Sequence, residues 1–189
     1  MRIIGGDAKG IILLSPKGKN TRPTLGRVRE SIFNVLANVG LVDTDVLDVF
    51  AGTGAMGLEA LSRGARSAVL IDKATGSVIR ENAKKCGMEN RVRILSADVK
   101  GALASLKGRQ FDYIFMDPPY RKGYINEILA MIFENNLCRE EAVIAVEHSV
   151  SEPPDVSLFP GKCTLWKEKK LGAIIVSYLL CSMTEVEHS

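Results

Sequence analysis

The sequence predicts an α/β protein: an open, doubly wound sheet, mostly parallel, with a reversed C-terminal strand and an N-terminal β-hairpin in front of it. Three observations carry that expectation. Five short runs, "DVLDVF", "SAVLID", "RVRIL", "FDYIFMD" and "AVIAVE", are apolar at nearly every position, as in strands covered on both faces. Between them lie stretches of helical spacing beginning near Ala55, Ala74, Val99 and Tyr124, which is the alternation of βα units. Two closing runs, "KCTLWKEKK" and "GAIIVSYLLC", meet at Leu171–Gly172, a junction that suits an antiparallel hairpin rather than another crossover.

Taken in order, "RIIGGDAKGIILLS" reads as two short strands around a Gly/Asp turn, and "PKGKNTRP" as a loop. A helix follows in "TLGRVRESIFNVLANVG", where Val28, Ile32, Val35, Leu36 and Val39 share a face and Gly40 ends the run. Residues 1–22 are therefore expected to form a basic hairpin-and-loop extension, and residues 23–189 the main domain. At 189 residues the chain can bury one full core. The single tryptophan, Trp166, is assigned to the core of the terminal hairpin.

Composition excludes several classes. No window approaches the roughly 18 uninterrupted apolar residues of a membrane span, and the start has too short an apolar run for a signal peptide. A soluble, cytoplasmic monomer is the expectation. Cys86, Cys138, Cys163 and Cys181 contain no C-x-x-C pair and the only histidines are His148 and His188, so no metal site is expected and the thiols read as buried or idle. The net charge of +3 is unevenly placed: residues 1–30 hold seven basic residues against two acidic ones, and the remainder nets −2. A solvated surface explains such a cluster, and so does an arm that tracks phosphates.

The chemistry follows from the acids. Asp48, Asp72, Asp98 and Asp117 fall at or just past the ends of successive expected strands, 24, 26 and 19 residues apart. One acid at such a place is commonly a helix cap. Four in register point to the sheet edge where open α/β folds bind ligands. Gly52, Gly54 and Gly57 complete a G-x-G-x-x-G between strand and helix in "DVFAGTGAMG", which alone fits a nicotinamide or flavin dinucleotide, with Asp72 on the ribose. Two details favour another ligand. Asp48 precedes the glycines, where a carboxylate would repel a pyrophosphate and attract an ammonium, and Asp98 in "SADV" is placed for an adenine amine, with Val99 against the base. An amine, a ribose and an adenine without a phosphate make S-adenosylmethionine.

Successive motifs "DVFAGTG", "LID", "SADV" and "DPPY" resemble those of class I S-adenosylmethionine-dependent methyltransferases, with their Rossmann-like fold. More narrowly, "TRPTLGRVRESIFNVL" followed by "DVFAGTGAMGLEALSRGA" resembles the RsmD family, bacterial 16S ribosomal RNA guanine-N2 methyltransferases, over most of the chain. Leu25 and Gly26 stand where that family's front loop is expected to carry a polar or acidic residue. The resemblance implies a cofactor site of Asp48, Phe50, Gly52, Gly54, Asp72, Lys73, Asp98 and Val99, with S-adenosylhomocysteine as product. It implies a catalytic group of Asp117, Pro118 and Tyr120, and a ribosomal RNA substrate, presented in a small-subunit particle.

Physical reasons for "DPPY" stand beside the resemblance. An exocyclic amine has its lone pair delocalised into the ring, and acceptors at its two hydrogens favour the pyramidal form that attacks a methyl group. The Asp117 carboxylate and the Pro118 carbonyl would supply them, in a turn stiffened by Pro118 and Pro119, while Tyr120 would stack on the base. As a plain terminator, two prolines after a strand need no chemistry. Arg22, Arg27, Arg29, Pro119, Arg121 and Lys122 are the expected substrate contacts. Glu147 and His148 end the next strand, where a satisfied strand terminus is the preferred reading. Other readings stay open: an adenine-N6 methyltransferase acting on DNA or RNA, an NAD-dependent oxidoreductase, and a non-catalytic RNA-binding protein.

Overall fold

The computed structural model describes residues 1–15, 23–119 and 123–182, with the side chains of residues 23–25 set aside. The chain divides into two compact units, Met1–Val99 and Lys100–Ser189.

In the first unit, helix α1 (Pro23–Leu36) is followed by strand β1 (Asp45–Asp48), helix α2 (Ala55–Ser62), strand β2 (Ser67–Ile71), helix α3 (Gly76–Lys85) and strand β3 (Val92–Leu95). Pro23 opens α1, where its missing N–H costs nothing. Val28, Ile32, Phe33, Val35 and Leu36 bury one face. Val39, expected on that face, lies beyond the helix and is 51% exposed, because the chain has already turned at Gly40, whose N–H closes on the Leu36 carbonyl at 3.0 Å. The strands run parallel in the order β3-β2-β1, with Asp48 opposite Leu70 and Ile71 opposite Leu95.

The N-terminal hairpin is narrower than the sequence suggests, with one isolated antiparallel bridge between Arg2 and Ile12. It is nevertheless bound firmly to α2. That helix is buried on nearly every side, and two of its polar residues serve the hairpin backbone. Glu59 accepts from the N–H groups of Ile4 and Gly5, both at 2.8 Å. Ser62 accepts from the Ala8 N–H at 2.9 Å and donates to the Gly5 carbonyl at 2.6 Å. Asn82 of α3, fully buried, completes the anchoring. Its side-chain oxygen accepts from the Leu14 N–H at 2.7 Å, and its amide donates to the carbonyls of Leu14 and Thr53 at 3.0 and 2.9 Å.

Helix α4 (Val99–Ser105) follows the third strand. The second unit then continues with strand β4 (Phe111–Met116), helix α5 (Tyr124–Glu134), strand β5 (Cys138–Ser149), strand β6 (Cys163–Leu171) and strand β7 (Ile174–Cys181). Ile125, Ile128, Leu129 and Ile132 of α5 recur at helical spacing and are buried, each fully buried side chain stabilising by about 1.5–3 kcal/mol. The strand order is β4-β5-β7-β6. β4 and β5 are parallel, and β7 runs antiparallel to both β5 and β6, so the closing strand is reversed as expected.

Strand β5 begins earlier than its apolar run. Its register on β4 slips from Phe111–Cys138 to Tyr113–Val143, and Glu141 in the slipped segment takes φ 60°. Trp166 corrects another expectation. A bulge between Leu165 and Lys167 turns it outward, 43% exposed and edge-on to the buried Tyr178 ring with centroids 6.2 Å apart. The thiols of Cys138, Cys163 and Cys181 are buried, as the sequence suggests. Burial pushes the Cys163 thiol up to about 12. Among the described residues no helix is long and apolar enough to cross a membrane, and no His, Cys, Asp and Glu residues cluster in a way that could hold a metal ion.

Candidate active site

Strand β1 ends on Asp48, which is 3% exposed and accepts from the Gly57 N–H at 3.3 Å, in the first turn of α2. The chain between them is the glycine loop. Gly54 adopts φ 81° as the residue preceding α2, a conformation that costs a side-chain-bearing residue energy. At Gly57 a Cβ would come within 2.1 Å of Leu70 Cδ2, so a side chain there would force the buried Leu70 to shift. Gly52 differs, for a Cβ there would meet no atom within 4 Å. The loop therefore faces open space at the position where the sequence expects a ligand.

Asp72, at the end of β2 and half-buried, ties that loop to the next helix. One carboxylate oxygen accepts from the Gly52 N–H at 3.0 Å. The other accepts from the N–H groups of Ala74 and Thr75 at 2.8 and 3.0 Å, taking up donors that begin α3. A carboxylate has about four acceptor directions, so Asp72 retains capacity for a hydroxyl. The Thr75 hydroxyl beside it is buried without a hydrogen-bond partner among the described residues. Phe50 is half-buried, Lys73 and Asp98 are exposed, and Val99 is buried. The structure thus joins Gly52 to Asp72 and Asp48 to Gly57.

In the second unit, Asp117 follows β4 directly, and Pro118 behind it is buried. Parallel register places Met116 beside Val146, which makes Glu147 the strand neighbour of Asp117. Among the described residues, neither carboxyl has a hydrogen-bond or ion-pair partner. Asp117 is exposed as a residue, yet poor solvation of its carboxyl raises it to about 6. Glu147 is raised to about 7, first by burial and then by the Asp117 charge. His148, next along the chain, is the satisfied terminus the sequence suggests. It is 1% exposed, with its ring nitrogens 2.8 Å from the Ser149 carbonyl and from Ser177 Oγ.

The expected RNA contacts separate. Arg27 is exposed, and Pro119 is exposed. Arg29 corrects its assignment: it is 4% exposed, 3.5 Å from Glu59 and bonded to the Arg2 carbonyl at 2.5 Å, so it faces the core rather than a phosphate. Burial lowers its pKa, Glu59 opposes that, and Arg63 adds to it. Arg22, Tyr120, Arg121 and Lys122 lie outside the described residues. Sequence reasoning passed over Glu59 and Asn82. The available signal was an acid inside "GLEAL", an otherwise apolar helix, and an asparagine on the same face as Ile79.

Comparisons with known proteins bear on the family and the fold. The family described as Conserved hypothetical protein 95 matches residues 1–180. Ribosomal RNA small subunit methyltransferase D of Escherichia coli strain K12 is 39% identical over 176 residues, 92% of this chain and 86% of that protein. The solved structure of a putative methyltransferase from Escherichia coli superposes with a TM-score of 0.85 at 37% identity, covering 97% of this chain and 99% of that one. A more distant structure, SMU.776, a putative methyltransferase complexed with SAH, has a TM-score of 0.67 at 17% identity over 85% of this chain and 50% of that one, a likeness of fold alone. With seven strands among the described residues, mostly parallel and one reversed, the fold is the Rossmann-like one of class I S-adenosylmethionine-dependent methyltransferases, and the chain belongs to the Conserved hypothetical protein 95 family, the family of the RsmD methyltransferases.

Proposed function

We propose that this chain transfers a methyl group from S-adenosylmethionine to the exocyclic N2 amine of a guanine in 16S ribosomal RNA, within a small-subunit particle. The observation that carries the reading is Asp117. Its carboxyl stands at a strand end, ahead of two prolines, with no partner among the described residues. A poorly solvated acceptor with no donor among the described residues suits a ligand that brings its own. The name of the 39%-identical relative supports the RNA class.

The first unit's residues fit the cofactor. Gly52 borders open space for the methionine portion, Asp72 offers its remaining acceptor directions to ribose hydroxyls, and Asp98, exposed just before α4, would face the adenine amine. When bound, S-adenosylmethionine supplies an electrophilic methyl on a sulfonium and leaves as S-adenosylhomocysteine. Asp117 accepts one hydrogen of the acceptor amine and the Pro118 carbonyl the other, favouring the pyramidal nitrogen. As the nitrogen–methyl bond forms and the sulfur–methyl bond breaks, the amine becomes acidic. Its proton passes to the Asp117 carboxylate, whose raised pKa of about 6 makes it a better acceptor than an ordinary aspartate, and then to solvent. Arg27 would contact backbone phosphate.

Mass mapping of modified nucleotides in 16S ribosomal RNA, from cells with and without this protein, tests the reading. One N2-methylguanine should disappear with the protein. Loss of an N6-methyladenine instead, or no change, would refute it.

A further inference from the structure

We propose that Glu147 is a specificity-determining residue of this site, its carboxylate accepting the N1–H of the target guanine while Asp117 and Pro118 hold the 2-amino group. The inference rests on the function proposed above and adds to it the group that distinguishes guanine from other amino-bearing bases.

The geometry starts from register. β4 and β5 are parallel and Met116 lies opposite Val146; Asp117 follows the end of β4 as Glu147 follows Val146 on β5. Register neighbours in a parallel pair project to the same face, and Glu147 feels the charge of Asp117. Two adjacent carboxyls without a cation between them are unfavourable in a folded protein. Elsewhere in this chain acids are neutralised: Glu59 by Arg29 and Arg63, Asp45 by Arg66, Asp112 by Arg139. Glu147 is half-buried and, among the described residues, has no such partner. Its neighbour His148 points to the other face and is fully bonded, so the satisfied-terminus explanation covers His148 alone.

A row of hydrogen-bond donors would relieve the pair. Guanine presents one along a single edge, with N1–H beside the 2-amino group. Three acceptors, Glu147, Asp117 and the Pro118 carbonyl, match its three hydrogens. Adenine presents an acceptor, N1, beside its amino group, and a carboxylate would repel it. The raised pKa of Glu147 agrees with a carboxyl awaiting donors and is not needed for the geometry.

The test uses the nucleotide located by mass mapping. Small-subunit particles are reconstituted with guanine or with 2-aminopurine at that position. 2-Aminopurine keeps the 2-amino group but has a bare N1. Wild-type protein should methylate guanine with a kcat/KM about 100-fold higher. Glu147→Gln, whose amide can turn its NH2 toward a bare N1, should bring the two bases to within about 5-fold, with most of the change in KM. Affinity for S-adenosylhomocysteine, measured by calorimetry, should match wild type and monitors folding. A Glu147→Gln ratio equal to wild type overturns the inference. So does a wild-type enzyme that methylates both bases equally, a result independent of how the variant folds. A wild-type enzyme that modifies neither base refutes the underlying function instead.

Discussion

The acids of the two units look alike in the sequence and behave differently in the structure. Asp48, Asp72 and Glu59 of the first unit each accept backbone N–H groups: Gly57 for Asp48, Gly52, Ala74 and Thr75 for Asp72, Ile4 and Gly5 for Glu59. Asp117 and Glu147 of the second unit accept nothing from the described residues, and both are pushed upward in pKa, to about 6 and about 7. An acid that accepts backbone N–H groups holds that backbone in place. On the proposed function, an acid without a donor among the described residues receives the ligand's own hydrogens. On the proposed function, the number of donors an acid serves among the described residues separates the positioning acids from the reacting ones.

Removing Glu59 should have the largest effect on stability. Glu59→Ala strands the Arg29 guanidinium in the core and frees two hairpin N–H groups, and breaking a buried pair costs about 3–5 kcal/mol. Calorimetry should show a melting temperature lower by on the order of 10 °C. A drop of only a degree or two would deny the first unit's acids their structural role. Asn82→Ala should cost less, about 1–3 kcal/mol in chemical denaturation, because the Leu14 and Thr53 backbone groups lose buried partners.

For the second unit the sign reverses. Glu147 has a folded pKa of about 7 against its ordinary 4.5, so the native state holds the proton more strongly and stability falls as pH rises through that window. Glu147→Gln should therefore raise the melting temperature at pH 8, by about 2–4 °C, and leave it unchanged at pH 4. Equal melting curves at both pH values would mean the carboxyl is well solvated. The smallest effect belongs to the surface: Arg27→Ala should reduce the salt dependence of RNA binding by about one phosphate contact, with S-adenosylhomocysteine affinity unaltered.

Most of the architecture was legible in the sequence because parallel strands covered on both faces write continuous apolar runs, and βα units place acids at regular intervals. The glycine loop was legible for the same local reason: Gly54 needs its left-handed φ of 81° and Gly57 its missing side chain. What escaped depended on distant partners. Arg29 looked like its basic neighbours in the front segment, and only the fold brings Glu59, 30 residues on, within 3.5 Å of it. Trp166 looked like core because a lone tryptophan has no partner for a stacking platform, and the bulge that exposes it has no sequence signal of its own. Glu147 looked like a strand end because its chain neighbour His148 is one.

The central claim is that Asp117 accepts a hydrogen of the reacting amine while the first unit alone holds the cofactor. The most direct measurement compares wild type with Asp117→Asn, in methyl transfer to small-subunit particles and in calorimetric binding of S-adenosylhomocysteine. The account predicts a fall of about 100- to 1000-fold in kcat, with cofactor-product affinity within about 2-fold of wild type. A kcat that survives the substitution, or an equal loss in both quantities, would contradict it.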